Sequence, residues 1–434
     1  FFEHMSFNDS ENVPRGANRT MISELGGTRN GGTWSDGTMY YEVVPKDALE
    51  KLMWIDSDRL GYMINTVTED ALEREKQVVK NEKRERVDNQ AYGHTDAIIR
   101  KALYPKDHPY NWTVIGELED LKAATIEDVK EFYNKFYGPS NATLVVAGDI
   151  NIEETKELVN KWFGEIKRSN EVEEPKVQLV TVNETNKLYY LDKFARLPEI
   201  RITFPTVQEF HEDSYALNTL GRLLADGKNS PLYKEIVEQR RLAPSTSASQ
   251  NSYEIAGKFT IRVRGNSSVS LDTLYTAIMK GLENFDSNGV NEADLKRIKA
   301  KQETGFYNNI SSALDKAFQL GIYNEFAGDP GFISKDVENI KKVTKEDVLR
   351  VFNKYIKGKN AIITSVVPEA QPDLILTGSK EAYIKEEKIV QDAEKEFDAN
   401  TNIEYEKTAS VHDRSEPPLG DLPLLKVPHV WQGN

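Results

Sequence analysis

Thr125-Ile126-Glu127-Asp128-Val129 recurs 219 positions later as Thr344-Lys345-Glu346-Asp347-Val348. The same offset carries Asn134-Lys135 onto Asn353-Lys354 and Asn141-Ala142 onto Asn360-Ala361, with no gap between matched pairs. In each copy a Thr suited to capping a helix stands three residues before an Asp, close to a capping box. The helix then feeds an apolar run, residues 142–148 in the first copy and 361–367 in the second, which reads as a buried strand. Three matches in register point to one domain fold present twice. Upstream, Glu69, Leu72, Arg74 and Lys76 align with Glu292, Leu295, Arg297 and Lys299 at an offset of 223, so a small insertion separates the blocks.

The remaining periodicity fits this duplication. Residues 38–44 have strand composition and Pro45 ends them. Residues 48–62 are amphipathic at helical spacing, 68–86 form a long charged helix and 92–103 another. In the second half, strands are predicted at 187–190, 199–204 and 257–264. Helices are predicted at 214–225, 231–239, 270–285, 292–325 with room for a break, and 345–355. Helices and strands mixed in this order predict an α+β protein of two homologous domains, each a mainly antiparallel sheet packed against helices. The boundaries are drawn at 1–150 and 151–368. Residues 369–434, rich in Glu and Lys and then in Pro, read as a helical hairpin or charged linker leading elsewhere.

Composition narrows the function. A net charge of −14 argues against nucleic acid, which needs clustered Lys and Arg. The chain has no Cys, which removes disulfides, thiolate metal sites and Cys nucleophiles. No apolar run approaches the ~20 residues that span a bilayer. The first residue is Phe1 rather than Met, and the first copy is short at its front, so further residues are expected upstream.

The copies differ where chemistry is concerned. Glu75 aligns with Ile298 and Glu82 with Gly305, so one copy keeps carboxylates where the other has none. Glu75 and Glu82 lie seven residues apart and share a helix face; a metal, or simply solvent, would satisfy them. Glu3 and His4 sit at the other end of this domain. His94 and His108 lack ligand spacing to His4 and read as structural. His211, His412 and His429 read as surface or linker residues.

The segment Phe1-Phe2-Glu3-His4-Met5-Ser6-Phe7 resembles the inverted zinc motif H-x-x-E-H with its first His falling just before Phe1. The run Leu72 to Glu82, Gly26-Gly27, the 38–45 strand, Leu103-Tyr104 with His108-Pro109-Tyr110, Gly116 and residues 138–148 resemble the insulinase/pitrilysin family of zinc metallopeptidases. The likeness spans residues 1 to about 370. It implies Zn²⁺ as cofactor, His4 and Glu82 as ligands, Glu3 as general base, and Glu75 as a second catalytic carboxylate orienting the site. It also implies an open sheet edge at Asn30, Gly31, Gly32 and Thr33 where a peptide substrate adds as a strand, although the same residues could form a plain flexible loop.

Peptide hydrolysis by a zinc endopeptidase is therefore the expected activity. The partner expected is a second peptidase-like half, on the same chain or on another subunit, and the compartment periplasmic, with cytoplasm the alternative. The competing function is a catalytically inactive scaffold or peptide-binding subunit of the same fold. Alone, the chain is expected to bind zinc weakly and hydrolyse little. The peptidase reading requires His4 and Glu82 to converge on a common point with Glu3 alongside.

Overall fold

The computed structural model describes residues 1–384 and 405–422. They form two compact units, each assembled from separated stretches of chain. The first takes residues 1–79, 117–173 and 405–422; the second takes 80–116 and 174–384. Contacts thus divide the chain differently from the 1–150 and 151–368 reading of the repeat, because the helix Glu69–Lys83 runs out of the first unit and the chain returns to it only at 117. Among the described residues no helix is long and apolar enough to cross a membrane.

In the first unit β1 (Thr28–Thr33) and β2 (Thr38–Val43) form an antiparallel pair, with Thr28 opposite Val43 and Thr33 opposite Thr38. Helices Leu49–Tyr62 and Ile152–Phe163 bury Met53, Trp54, Ile55 and Trp162 in one apolar cluster with Met21 and Ile22. The helix Ile126–Phe136 opens with the cap its sequence predicts. Asp128 N–H donates to Thr125 Oγ1 at 3.2 Å and Thr125 N–H to Asp128 Oδ2 at 2.8 Å.

The strand predicted at 142–148 is absent. These residues are irregular, and Leu144 is 46% exposed. A strand persists through ladder hydrogen bonds to neighbours. The first unit's sheet has only β1 and β2 among the described residues, and neither pairs with this run.

The second unit holds β3 (Asn186–Asp192), β4 (Glu199–Thr206), β5 (Thr246–Ser252), β6 (Gly257–Arg264), β7 (Ile362–Pro368) and β8 (Lys380–Glu381). They form a sheet of order β5-β6-β4-β7-β3-β8. The pairs from β5 to β7 are antiparallel, while β3 runs parallel to β7 and to β8. Here the second copy of the apolar run has neighbours on both sides, and β7 is buried throughout. Ile200, Ile202 and Phe204 of β4 meet Phe259, Ile261 and Val263 of β6 in a core closed by Leu217, Leu220, Ile278 and Val351 from helices. The polar edge strand β5 was not foreseen, because Thr-Ser-Ala-Ser-Gln-Asn-Ser lacks the apolar residues that mark a strand. The long helix predicted at 292–325 is broken into Glu292–Asn308 and Ala313–Phe326, where Ser312 and Asp315 form a capping box.

Residues 405–422, suggested by sequence as linker, lie in the first unit, with Arg414 only 6% exposed. Most of the proposed hairpin, and His429, fall outside the described residues.

One buried charge anchors the second unit. Asp213, fully buried, accepts from Tyr355 Oη at 2.6 Å and Lys354 Nζ at 2.9 Å and pairs with Arg350. Burial pushes its carboxyl up, but hydrogen bonds from Tyr355, Lys354 and Arg350 outweigh this and bring it down to about 2. A carboxyl lowered by folding stabilises the fold above its unfolded pKa of roughly 3.9, and that stability is lost as pH falls toward the folded value. Asp213→Asn is expected to cost about 2–3 kcal/mol at pH 7. The gap to the parent protein should narrow between pH 4 and 2, as read from urea unfolding at each pH.

Candidate active site

The helix Phe2–Ser6 is short and rests on its apolar side chains. Met5 is buried with Met63 and Tyr133, and the Phe2 ring lies 4.4 Å from Tyr137 and 5.0 Å from Phe132. Seating those residues leaves the adjacent Glu3 and His4 partly exposed.

His4 faces the helix Glu69–Lys83. Its Nδ1 lies 3.6 Å from Oε2 of Glu75, a carboxylate only 5% exposed. Oε1 of Glu75 accepts from Asn8 Nδ2 at 3.1 Å and from the Arg19 guanidinium at 3.4 Å, with Arg74 Nε 3.6 Å away. Burial pushes the Glu75 carboxyl up; the His4 ring, the Asn8 amide and the Arg19 charge outweigh it and hold the carboxyl below its usual range. Glu75 therefore stays ionised beside His4.

Asn8 went unnoticed in the sequence, and it joins these groups. Its Nδ2 also reaches the His4 carbonyl at 3.1 Å, and its Oδ1 accepts from Arg19 at 2.8 Å and Arg74 at 2.9 Å. Its spacing of four from His4 is a faint signal that any polar loop residue could give.

Glu3 meets the hairpin. Its Oε2 accepts from the hydroxyl of Thr33, which also lies 3.1 Å from that of Thr38. A Cβ on Gly31 would fall 2.9 Å from the Phe7 ring and 3.4 Å from Glu3 Oε1, so only Gly allows β1 this close. A Cβ on Gly32 would meet nothing within 4 Å, and Asn30 Oδ1 accepts from Gly31 N–H at 2.8 Å. Residues 30–33 are thus a strand rather than a flexible loop. Its second edge pairs with no strand among the described residues.

Beneath the hairpin lies a second charged layer. Arg59 donates to Ser6 Oγ at 3.1 Å, pairs with Asp56 and stacks 4.2 Å over the Tyr40 ring, whose hydroxyl is 2.7 Å from that of Tyr137. Arg29 lies 3.4 Å from Glu42. Burial pushes the Glu42 carboxyl up to about 7; Asp56 adds to the rise, and Arg59 and Arg29 oppose it.

Glu82 lies two turns beyond Glu75 on the same helix, belongs to the second unit and pairs with Arg86 at 2.7 Å. Among the described residues no three His, Cys, Asp or Glu side chains gather as a metal cage. The other histidines have structural surroundings. His108 is buried, accepting from Tyr110 N–H at 3.0 Å, with Gln178 O 3.0 Å from Nε2. His211 caps a helix by accepting from Asp213 N–H, His94 lies 3.9 Å from Asp88, and His412 is exposed.

The residues present fit a metal ligand at His4. A buried carboxylate behind one imidazole nitrogen is how metal-binding histidines are commonly oriented, and Glu75 stands in that position behind Nδ1 of His4. The first copy carries this His–carboxylate pair beside the Glu3 carboxylate, whereas the second copy has Ile298 where Glu75 stands, an asymmetry that fits a metallopeptidase fold with its site residues in one copy only.

Comparison with known proteins agrees. The family described as Insulinase (Peptidase family M16) matches residues 1–108, and the Peptidase M16 inactive domain matches residues 123–302. A zinc protease of Helicobacter pylori is 27% identical over 380 residues, covering 84% of this chain and 82% of that protein. The beta subunit of the Saccharomyces cerevisiae mitochondrial-processing peptidase is 22% identical over 389 residues, 85% of this chain and 82% of the subunit. A protease structure from Helicobacter pylori superposes with a TM-score of 0.76 at 26% identity, covering 84% and 88%. A periplasmic protease of Escherichia coli gives 0.71 at 19% identity, over 87% of this chain but 43% of that one. The chain belongs to the insulinase family of peptidases, in which relatives such as the Helicobacter pylori protein are named zinc proteases.

Two outcomes are expected. Asn8→Ala should weaken zinc binding roughly 10- to 100-fold, the usual cost of losing an outer partner of a ligand, as measured by competition with a chromophoric chelator. A carboxyl raised by folding binds its proton more tightly in the folded state, so stability falls as pH rises from the usual Glu range through about 7. Thermal unfolding of Glu42→Gln should therefore fall less between pH 5 and 8 than that of the parent protein.

Proposed function

We propose that the chain is the catalytic half of a zinc endopeptidase that cleaves extended or unfolded peptide segments. The observation that carries this reading is the Glu3 carboxylate, bonded to Thr33 on a strand edge that pairs with no strand among the described residues, one residue from a His backed by the ionised Glu75. The match of the insulinase pattern to residues 1–108, with the inactive-domain pattern matching residues 123–302, supports it.

Of the first unit's side chains His4 would hold zinc, and the family resemblance adds Glu82 as the other ligand from this chain. A zinc ion there supplies Lewis acidity to the scissile carbonyl and makes a water easier to deprotonate. Glu3 takes the proton from the attacking water and delivers it to the leaving nitrogen. The Thr33 hydroxyl holds Oε2 of Glu3, leaving Oε1 for the water. Main-chain N–H and C=O groups of β1 bind the peptide as an added strand, and Gly31 and Gly32 let it approach. Glu75 orients His4 without touching substrate.

A second peptidase-like body encloses the substrate in this reading. Its supply as a separate subunit is supported by relatives of comparable length, one of them named a beta subunit. A periplasmic location goes with the proposal and is compatible with a chain free of Cys. The second reading, a peptide-binding subunit without turnover, is favoured by the absence of a three-ligand cluster among the described residues.

Incubation with zinc and a peptide mixture, with products read by mass spectrometry over long times, separates the two. Glu3→Gln should keep zinc uptake and lose about 10²- to 10⁴-fold in cleavage. His4→Ala should lose the zinc. Peptide binding without any zinc-dependent products from the parent protein supports the non-catalytic subunit instead.

A further inference from the structure

Residues 405–420 hold the first unit at three places. Arg414 donates to the Trp162 carbonyl at 3.0 Å and to Ser57 Oγ at 2.8 Å, and lies 3.5 Å from Asp58 Oδ1. It stacks 4.2 Å over the Tyr62 ring, and its own carbonyl accepts from Trp54 Nε1 at 3.0 Å. Thr408 gives both its backbone N–H and its hydroxyl to the Glu11 carboxylate, each at 2.8 Å, and Tyr405 Oη donates to the Glu11 carbonyl at 2.9 Å. At the far end Lys51 meets Glu416 at 2.7 Å and Gly420 N–H reaches the Asp47 carbonyl at 2.7 Å.

Glu11 and Asp58 are 2% and 0% exposed, and no step of the proposed reaction uses them. Buried carboxylates are costly unless bonded, so what bonds them shows what they hold. Both grip the loop that follows the Glu3–His4 helix. Asp58 accepts from Asn12 N–H at 2.8 Å, Asn12 Nδ2 at 2.7 Å and Val13 N–H at 3.3 Å. Glu11 is itself a loop residue, held from one side by Asn65 and from the other by Thr408. The same loop begins with Asn8, which bonds Glu75 and the His4 carbonyl. A loop does not fix a side chain by its own backbone, and a metal ligand must be held to within about 0.5 Å.

We infer that residues 405–416 are a brace for the metal site. Through Glu11 and Asp58 the brace fixes the 8–13 loop, and through Asn8 that loop fixes the Glu75–His4 pair. Arg414 and Thr408 are positioning residues, 402 or more positions distant in sequence from the helix they steady. The inference rests on the reading of His4 as a zinc ligand.

The test uses the whole chain with Glu11→Gln, Thr408→Val and Arg414→Lys, and Lys51→Met as a cut at the brace's far end only. Zinc affinity comes from chelator competition, and hydrogen exchange is followed at the Asn12 and Val13 amides. The first three variants should bind zinc about 3- to 10-fold more weakly, less than the roughly 10–100-fold of a direct outer partner. Their loop amides should exchange faster. Glu11→Gln and Thr408→Val should not add when combined, since they cut one contact. Lys51→Met should bind zinc within twofold of the parent protein. Unchanged affinity in the first three, or equal weakening by Lys51→Met, overturns the brace. Undiminished zinc uptake by His4→Ala instead overturns the metal reading, and the exchange rates then still report whether the loop is braced.

Discussion

A carboxylate taken out of water must be protonated or matched by charge and hydrogen bonds. Glu75 is matched, by the His4 ring on one oxygen and by Asn8 and Arg19 on the other. That single requirement ties together the short helix carrying Glu3 and His4, the loop behind it and the long charged helix. Removing any one partner leaves a charge exposed to the apolar interior, so the arrangement is held jointly. Its consequence for chemistry is that the His4 ring presents a defined nitrogen, and Glu3, next along the helix, is directed at the strand edge.

The duplicated fold spends its two copies differently. In the second unit the apolar run 362–368 lies inside a six-stranded sheet, and its buried charges, such as Asp213, serve packing. In the first unit the corresponding run is irregular, the sheet is a hairpin, and buried charge gathers around the helix of Glu3 and His4. Ile298, which aligns with Glu75, is itself buried. An apolar side chain there needs no compensation, so nothing in the second copy demands an Asn8 or an Arg19.

Several elements were readable because their signals are local. The Thr125 and Thr344 caps and the β2, β4, β6 and β7 strands follow from residues within a few positions of each other. The strand at 142–148 was misread because its apolar composition is local but its ladder partners are not. The edge strand β5 was missed for the converse reason: it forms on the template of β6 and has no apolar pattern of its own. The role of residues 405–422 was hidden because their partners lie some 350 to 400 positions away.

Sequence alone determined the duplicated α+β character, the loss of carboxylates from the second copy, and the pairing of Glu3-His4 with Glu75 and Glu82 as the candidates for zinc chemistry. The first two depend on residue identity and spacing, which a repeat makes visible, and the third is what the resemblance to the insulinase family implies. Tertiary structure alone decided that Asn8 and Arg19 share Glu75 with His4, that Thr33 holds Glu3, and that Arg414 and Thr408 return to the loop behind the site. Such contacts join residues far apart in the chain. They are selected by the need to satisfy buried polar groups, a condition that arises only once the chain has folded around them.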